Sequence, residues 1–258
     1  MHPIFPTNKA GNIKIKPIGY GRLKGDIDMR HSRILHLPLY LLVLVTMVAG
    51  CVRPAATPVA TVPPTPGAVP ATTSIPRQTW NFDTDLVGRP PQGATVFSGN
   101  WSVRAESGTP STPNALCQTG NTTFPAMTLS DVVYTDVLVQ TRFKPISGSI
   151  DRAAGIIFHV QDRNNYYIVR ANALEDTVDI RKYVNGSRIT LKVGSAKVLS
   201  GQWQELRVEV VGSRIRGFLN GQLVVETSDD TFKSGKVGLW TKADSVTCFD
   251  DVEVRAPS

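Results

Sequence analysis

From Thr79 onward, the 258-residue sequence predicts an all-β fold of antiparallel strands packed as a two-sheet sandwich, on three observations. Short runs rich in Val, Ile, Tyr and Phe recur at close spacing with turn residues between them. Two Asn-Gly pairs punctuate these runs, and no stretch of comparable length carries a 3.6-residue apolar period. Residues 79–258 suit one domain, since β-sandwiches often reach this size.

In chain order the runs are Val137 to Phe143, Gly155 to Val160, Tyr166 to Ala171, Val178 to Tyr183, Glu205 to Val211, Arg214 to Leu219 and Gln222 to Thr227. Branched and aromatic side chains fit a pleated, half-buried surface, which makes each run a strand. Along the fifth, Leu206, Val208 and Val210 alternate with Glu205, Arg207 and Glu209, giving one dry and one wet face. Asn220-Gly221 separates the last two runs and tolerates the positive φ of a tight hairpin turn, so those strands pair. Asn185-Gly186 carries the same chemistry after Tyr183.

The chain ahead of the domain is of another kind. Leu37 to Ala49 is apolar apart from one threonine, follows basic Arg30 and Arg33, and runs into Val48-Ala49-Gly50-Cys51. That ending resembles a bacterial lipobox, so residues 29–50 are expected to be a lipoprotein signal peptide and Cys51 the lipidated residue; an uncleaved anchor or an ordinary signal peptide is the alternative. The run is short for a membrane span, which needs roughly 20 residues. Residues 1–28 fit no secretion signal, and translation from Met29 would leave them as a mis-assigned or disordered extension. Residues 51–78 hold the cysteine and then a Pro/Thr/Ala-rich tether without an acidic residue, too polar to fold and extended by its prolines. This places the domain outside the cytoplasm at the cell membrane or surface.

The chain's net charge of +7 suggests nucleic acid, yet it is unevenly placed. Residues 79–258 hold nineteen basic and nineteen acidic residues, so the footprint of a nucleic-acid binder is missing from the domain.

Asp162-Arg163-Asn164-Asn165-Tyr166-Tyr167-Ile168-Val169-Arg170-Ala171-Asn172 is similar to a segment recurrent in concanavalin A-like, laminin G-like jelly rolls. Gly155-Ile156-Ile157-Phe158, Trp203 with Leu206, Gly217 to Gly221, Gly235 to Trp240 and Phe249 to Val252 keep the expected order. The family that these landmarks most nearly resemble is the bacterial 3-keto-disaccharide hydrolase domain. The resemblance implies a jelly roll that meets carbohydrate on a concave sheet or at its rim loops, and it transmits no activity.

Sugar recognition needs flat rings and planar polar groups. Alternation puts Tyr166, Arg170 and Asn172 on one face of their strand, with Arg181 and Tyr183, beside Asp179, on the next. This face is either a ligand platform or a solvated sheet face with charge pairs. As a platform, it should lose its ligand and keep its fold when Tyr166 and Arg170 become alanine together. Of the four tryptophans, Trp80, Trp101 and Trp203 read as core, and Trp240, near a strand end, is the one placed to reach a rim.

For catalysis, His159, Asp151 and Asp162, with Glu175 and Asp176, are available near the platform, although a histidine ending a strand is more often structural. No Gly-x-Ser-x-Gly elbow, His-Glu-x-x-His helix or phosphate loop occurs. Asp83 and Asp85 near the domain's start and Asp250 and Asp251 near its end would form a structural calcium site if the terminal strands meet; otherwise they are turn residues. Cys117 and Cys248 are either a disulfide or two buried thiols, and export favours the bond. The sequence thus leads to a surface-anchored module that binds carbohydrate or another envelope component without cleaving it. The alternatives are a hydrolase or lyase of 3-keto-glycosides and a protein-binding or spacer domain.

Overall fold

The computed structural model describes residues 77–257. The 1–28 extension, the signal, Cys51 and the tether up to residue 76 lie outside the described residues. Fifteen strands follow: β1 (Gln78–Trp80), β2 (Thr95–Ser98), β3 (Trp101–Ala105), β4 (Asn114–Gln118), β5 (Ala126–Thr128), β6 (Val137–Ser147), β7 (Ala153–Asp162), β8 (Asn165–Asn172), β9 (Thr177–Val184), β10 (Ser187–Ser195), β11 (Gln204–Val211), β12 (Arg214–Leu219), β13 (Gln222–Ser228), β14 (Lys236–Trp240) and β15 (Val246–Arg255). The described residues contain no helix, and every strand pair is antiparallel.

The strands form two sheets, as a jelly-roll sandwich requires. One runs β13-β12-β11-β6-β15-β4-β3 with β1 also on β15; the other runs β10-β9-β8-β7-β14-β5-β2. Leu206, Val208 and Val210 from the first sheet and Tyr167, Val169 and Ala171 from the second meet in the core between them. Both Asn-Gly pairs form hairpin turns with positive φ at both residues, joining Leu219 to Gln222 and Val184 to Ser187. The second hairpin delivers β10, a strand with no buried residue and hence no apolar signature in the sequence.

β15 sets the geometry of the first sheet. Its residues 247–249 pair with β4 and its residues 252–254 with β1, so two partners share one edge and meet at a bulge over Asp250 and Asp251, the latter at φ 45°. Asp250 is buried there and accepts hydrogen bonds from the Ser111 amide (2.9 Å), the Ser111 hydroxyl (2.9 Å) and the Asp251 amide (2.7 Å). Burial still raises its carboxyl to about 6, against the Ser111 hydrogen bonds and helped by the Asp251 charge.

A carboxyl raised above its unfolded value of about 3.9 folds more favourably when protonated. That contribution is fully present below pH ~4 and lost as pH rises through 6. Unfolding free energy should therefore increase by about 1 kcal/mol between pH 7 and pH 5 in denaturant titrations. A flat or falling profile over that window would contradict this assignment. Asp229 and Asp244 are shifted the other way: burial pushes Asp229 up but the hydrogen bonds from Lys182, Thr231 and Tyr167 together outweigh it, and the Ser149, Asp151 and Ile150 amides hold Asp244 down. What they add is present above about pH 4 and lost below it.

Candidate functional site

The outer face of the second sheet gathers the residues that the sequence assigns to a ligand platform. Because Tyr167, Val169 and Ala171 point into the core, Tyr166, Ile168, Arg170 and Asn172 point away from it. Register sets Tyr166 opposite Tyr183, Arg170 between Asp179 and Gly155, and Gly155 next to Trp240. A Cβ on Gly155 would stand 3.1 Å from the Trp240 ring and 3.3 Å from the Ile168 side chain, so the absent side chain is what lets the indole lie against β7.

One end of this face is aromatic. The Tyr166 and Tyr183 rings stack with centroids 5.1 Å apart; Phe124 meets Tyr183 edge-on at 5.2 Å and stacks over Trp240 at 5.9 Å. Between them opens a cleft of about 290 Å³, lined by these two tyrosines, Phe124 and Phe97. Ser98 and Thr122, hydrogen-bonded to each other at 3.0 Å, add hydroxyls, and Arg163 and Asn164 add polar groups from the β7–β8 turn. The cleft lining contains no carboxylate. Burial raises the Tyr166 phenol well above its usual range and raises Tyr183 as well, so both hydroxyls stay protonated donors.

The other end is ionic. Asp179 receives the Arg170 Nε (2.9 Å) and a terminal nitrogen of the same guanidinium (2.6 Å), and Arg181 approaches from its own strand at 2.7 Å. Arg170 also binds Glu175 at 2.5 Å and lies 3.8 Å from Asp151, which accepts from Asn172 at 2.7 Å and pairs with Lys242. Three cations thus face three carboxylates. Asp244 holds the loop carrying Asp151 by accepting the Ser149, Ile150 and Asp151 amides. Of the six, Glu175 is the most exposed, at 46%; burial pushes its carboxyl up, but the charge and hydrogen bond of Arg170, with Lys242 and Thr177, together outweigh it and lower the carboxyl.

This corrects the open-platform expectation. Tyr166, Arg170 and Asn172 share the expected face but are each 1% exposed, and Tyr183 is also buried, leaving Arg181 alone of the five partly exposed. They form a floor, with Phe124 and the ion pairs above it. The Tyr166 and Arg170 double alanine change would strip a buried ion network, so an intact fold is no longer the expected outcome. Trp240 is fully buried against Phe124 and not on a rim; Trp203 is half-buried, and Trp80 packs partly buried on the core.

The three catalytic candidates do not converge. Asp151 precedes β7 and Asp162 ends it, where its carboxylate binds the Asn164 amide and the Asn165 side chain across the turn. His159 is 1% exposed at a β7 irregularity with φ 46°, its Nδ1 2.8 Å from the Phe232 carbonyl and its Nε2 2.6 Å from the Thr135 carbonyl. It staples two loops and leaves no ring nitrogen for substrate. Asp176, outside the network, pairs with Lys197 at 2.8 Å.

The four acids named for calcium lie around the β15 bulge and in the 83–92 segment. Asp83 accepts the Asn114 amide (3.1 Å), Asp85 the Gln92 amide (3.4 Å), and Asp251 is raised by burial with a contribution from Asp83. Among the described residues they form no group of three side-chain ligands near enough to share an ion; the one such group contains Cys117 and Cys248, which are joined as a disulfide.

Phe97, Phe124 and Lys242 were not singled out as site residues from the sequence. An aromatic in the polar stretch Asn121-Thr122-Thr123-Phe124-Pro125 was the available signal for Phe124. Arg188 was legible in principle, since a two-residue turn at Asn185-Gly186 sets it opposite Tyr183.

Residues 88–255 match the family described as the 3-keto-alpha-glucoside-1,2-lyase-like domain. Levanase of Bacillus subtilis (strain 168) is 23% identical over 163 residues, covering 62% of this chain and 22% of levanase, so the chain spans about a fifth of that relative's length. Among solved structures, the carbohydrate binding module CBM66 from Bacillus subtilis superposes with a TM-score of 0.55 at 20% identity, over 64% of this chain and 96% of the module. A Bacillus subtilis protein of unknown function with a galectin-like fold reaches 0.48 at 12% identity, over 63% and 88%. The two-sheet sandwich thus shares its fold with the CBM66 module.

Proposed function

We propose that this chain, which belongs to the 3-keto-alpha-glucoside-1,2-lyase-like domain family, binds carbohydrate in the Tyr166–Tyr183–Phe124 cleft and does not cleave it. The observation that carries the reading is a cleft lined by aromatic rings and hydroxyls without a carboxylate. Rings of this kind stack on sugar faces, and protonated tyrosines donate to sugar oxygens. The volume sits near the lower end of ligand pockets, roughly 300–1,000 Å³, which suits a single sugar unit or chain end. Glycoside cleavage by the common route needs two positioned carboxyl groups, one with a raised pKa. Here Asp151 and Asp179 are buried in ion pairs and Glu175 is lowered, which is the wrong direction for a general acid or a base poised near pH 7.

In this reading the domain is displayed outside the cytoplasm, on a lipid at Cys51 and a proline-rich tether, where polysaccharide or envelope glycan is its partner. Support for the address is the sequence pattern at Val48 to Cys51. The second reading, a lyase or hydrolase of 3-keto-glycosides, is favoured by the family description.

Incubating the purified protein with a panel of oligosaccharides and 3-keto-disaccharides, and weighing retained and released sugars by mass spectrometry, separates the two. Retention of intact sugar is expected, and Phe124→Ala should weaken it about tenfold through the lost stacking face. Time-dependent cleavage would overturn the binding reading in favour of the second.

A further inference from the structure

We propose that the cleft selects sugars bearing a carboxylate, that is, uronic acid units, with Arg188 and Arg163 supplying the complementary charge. This rests on the cleft being the sugar site. Arg188 stands opposite Tyr183, with its guanidinium carbon 5.2 Å from the centroid of Phe124, the ring that walls the cleft. Among the described residues it takes part in no ion pair, and one terminal nitrogen is buried without a hydrogen-bond partner there. Arg163, exposed on the β7–β8 turn, lines the cleft and likewise has no ion-pair partner among the described residues.

The neighbouring acids are already engaged. Asp162 binds the amides of its own turn, and Asp179 is shared by Arg170 and Arg181. Burial and the nearby positive charges of Arg181 and Arg170 depress the Arg188 pKa, against smaller opposing effects of Asp179 and Asp151. An aromatic slot with hydroxyls and the Arg163 guanidinium in its lining, no acid, and the Arg188 guanidinium against its Phe124 wall offers stacking for a sugar ring and a charge-assisted hydrogen bond for its carboxylate. A neutral sugar would leave the buried Arg188 nitrogen without its acceptor.

Calorimetric titration of the whole protein with oligogalacturonides and glucuronate oligosaccharides, each beside its neutral parent sugar, tests this. The acidic sugars should bind about tenfold tighter, an advantage that shrinks as salt is raised. Arg188→Gln and Arg163→Gln should each reduce the ratio of acidic-sugar to neutral-sugar affinity; Arg188→Lys, which keeps the charge, should retain part of it. The thermal midpoints of the variants report whether they fold, and Arg163 is a surface position that preserves the test if Arg188→Gln does not.

Equal affinity for acidic and neutral sugars would overturn the charge selection and leave the sugar site standing. Binding of sugar phosphates or sulfates in place of uronates would overturn the carboxylate assignment. No binding of any sugar would overturn both this inference and the reading beneath it.

Discussion

Arg170→Leu is expected to cost the protein about 3–5 kcal/mol of unfolding free energy, the size found when one partner of a buried ion pair is removed. Arg170 and Asp179 are 1% and 0% exposed, and the guanidinium gives Asp179 two of its short contacts while reaching Glu175 and approaching Asp151. Without it, Asp179 keeps Arg181 alone, and Asp151 keeps Lys242 and Asn172. Both carboxylates would then be desolvated with less compensation than they had.

Arg170→Lys should recover only part of the loss, because an ammonium cannot reproduce the fork that holds Asp179 and Glu175 together. Removing Arg170 and Asp179 together should cost less than the sum of the single changes, since neither charge is then left alone. Urea titrations of the two single variants and the double variant measure this coupling. A single-variant loss below 1 kcal/mol, or strict additivity, would mean that solvent reaches the network and that it is not the buried floor described above.

Seven strands, β6 to β9 and β11 to β13, were readable because each signal was local. The alternation in residues 205–211 and in 165–172 assigns inward and outward faces correctly, and the Asn-Gly pairs locate two hairpins. β10 escaped because it sits at a sheet edge with no buried side chain. The burial of Arg170 escaped for a different reason: alternation tells which face a side chain takes, not what lies over that face. What lies there comes from chain segments far apart in sequence, namely the loop bearing Phe124, the turn bearing Asp151 that Asp244 anchors, and Lys242. His159 is similar, since the two carbonyls that occupy its ring belong to residues 135 and 232.

Replacing Cys117 and Cys248 together by alanine is expected to lower stability by up to about 5 kcal/mol, because the bond spans a sequence separation of 131 residues and constrains the unfolded chain accordingly. The two cysteines sit directly opposite each other on β4 and β15, in a small cluster with Ala115, Ile146 and Trp203 on the outer face of the eight-stranded sheet. That position gives the loss a direction. β4 and β3 are the last strands at their end of the sheet, so amide exchange at residues 101–105 and 114–118 should accelerate more than in β6 and β11. The cleft lies on the other sheet, built from β8, β9 and the Phe124 loop, and no residue lining it belongs to this cluster. Sugar binding by the folded fraction should therefore survive the double change. A coupled loss of affinity and stability would show that the sandwich transmits strain between its outer faces, whereas stability lost alone would identify the disulfide as a clamp on the chain and not a part of the site.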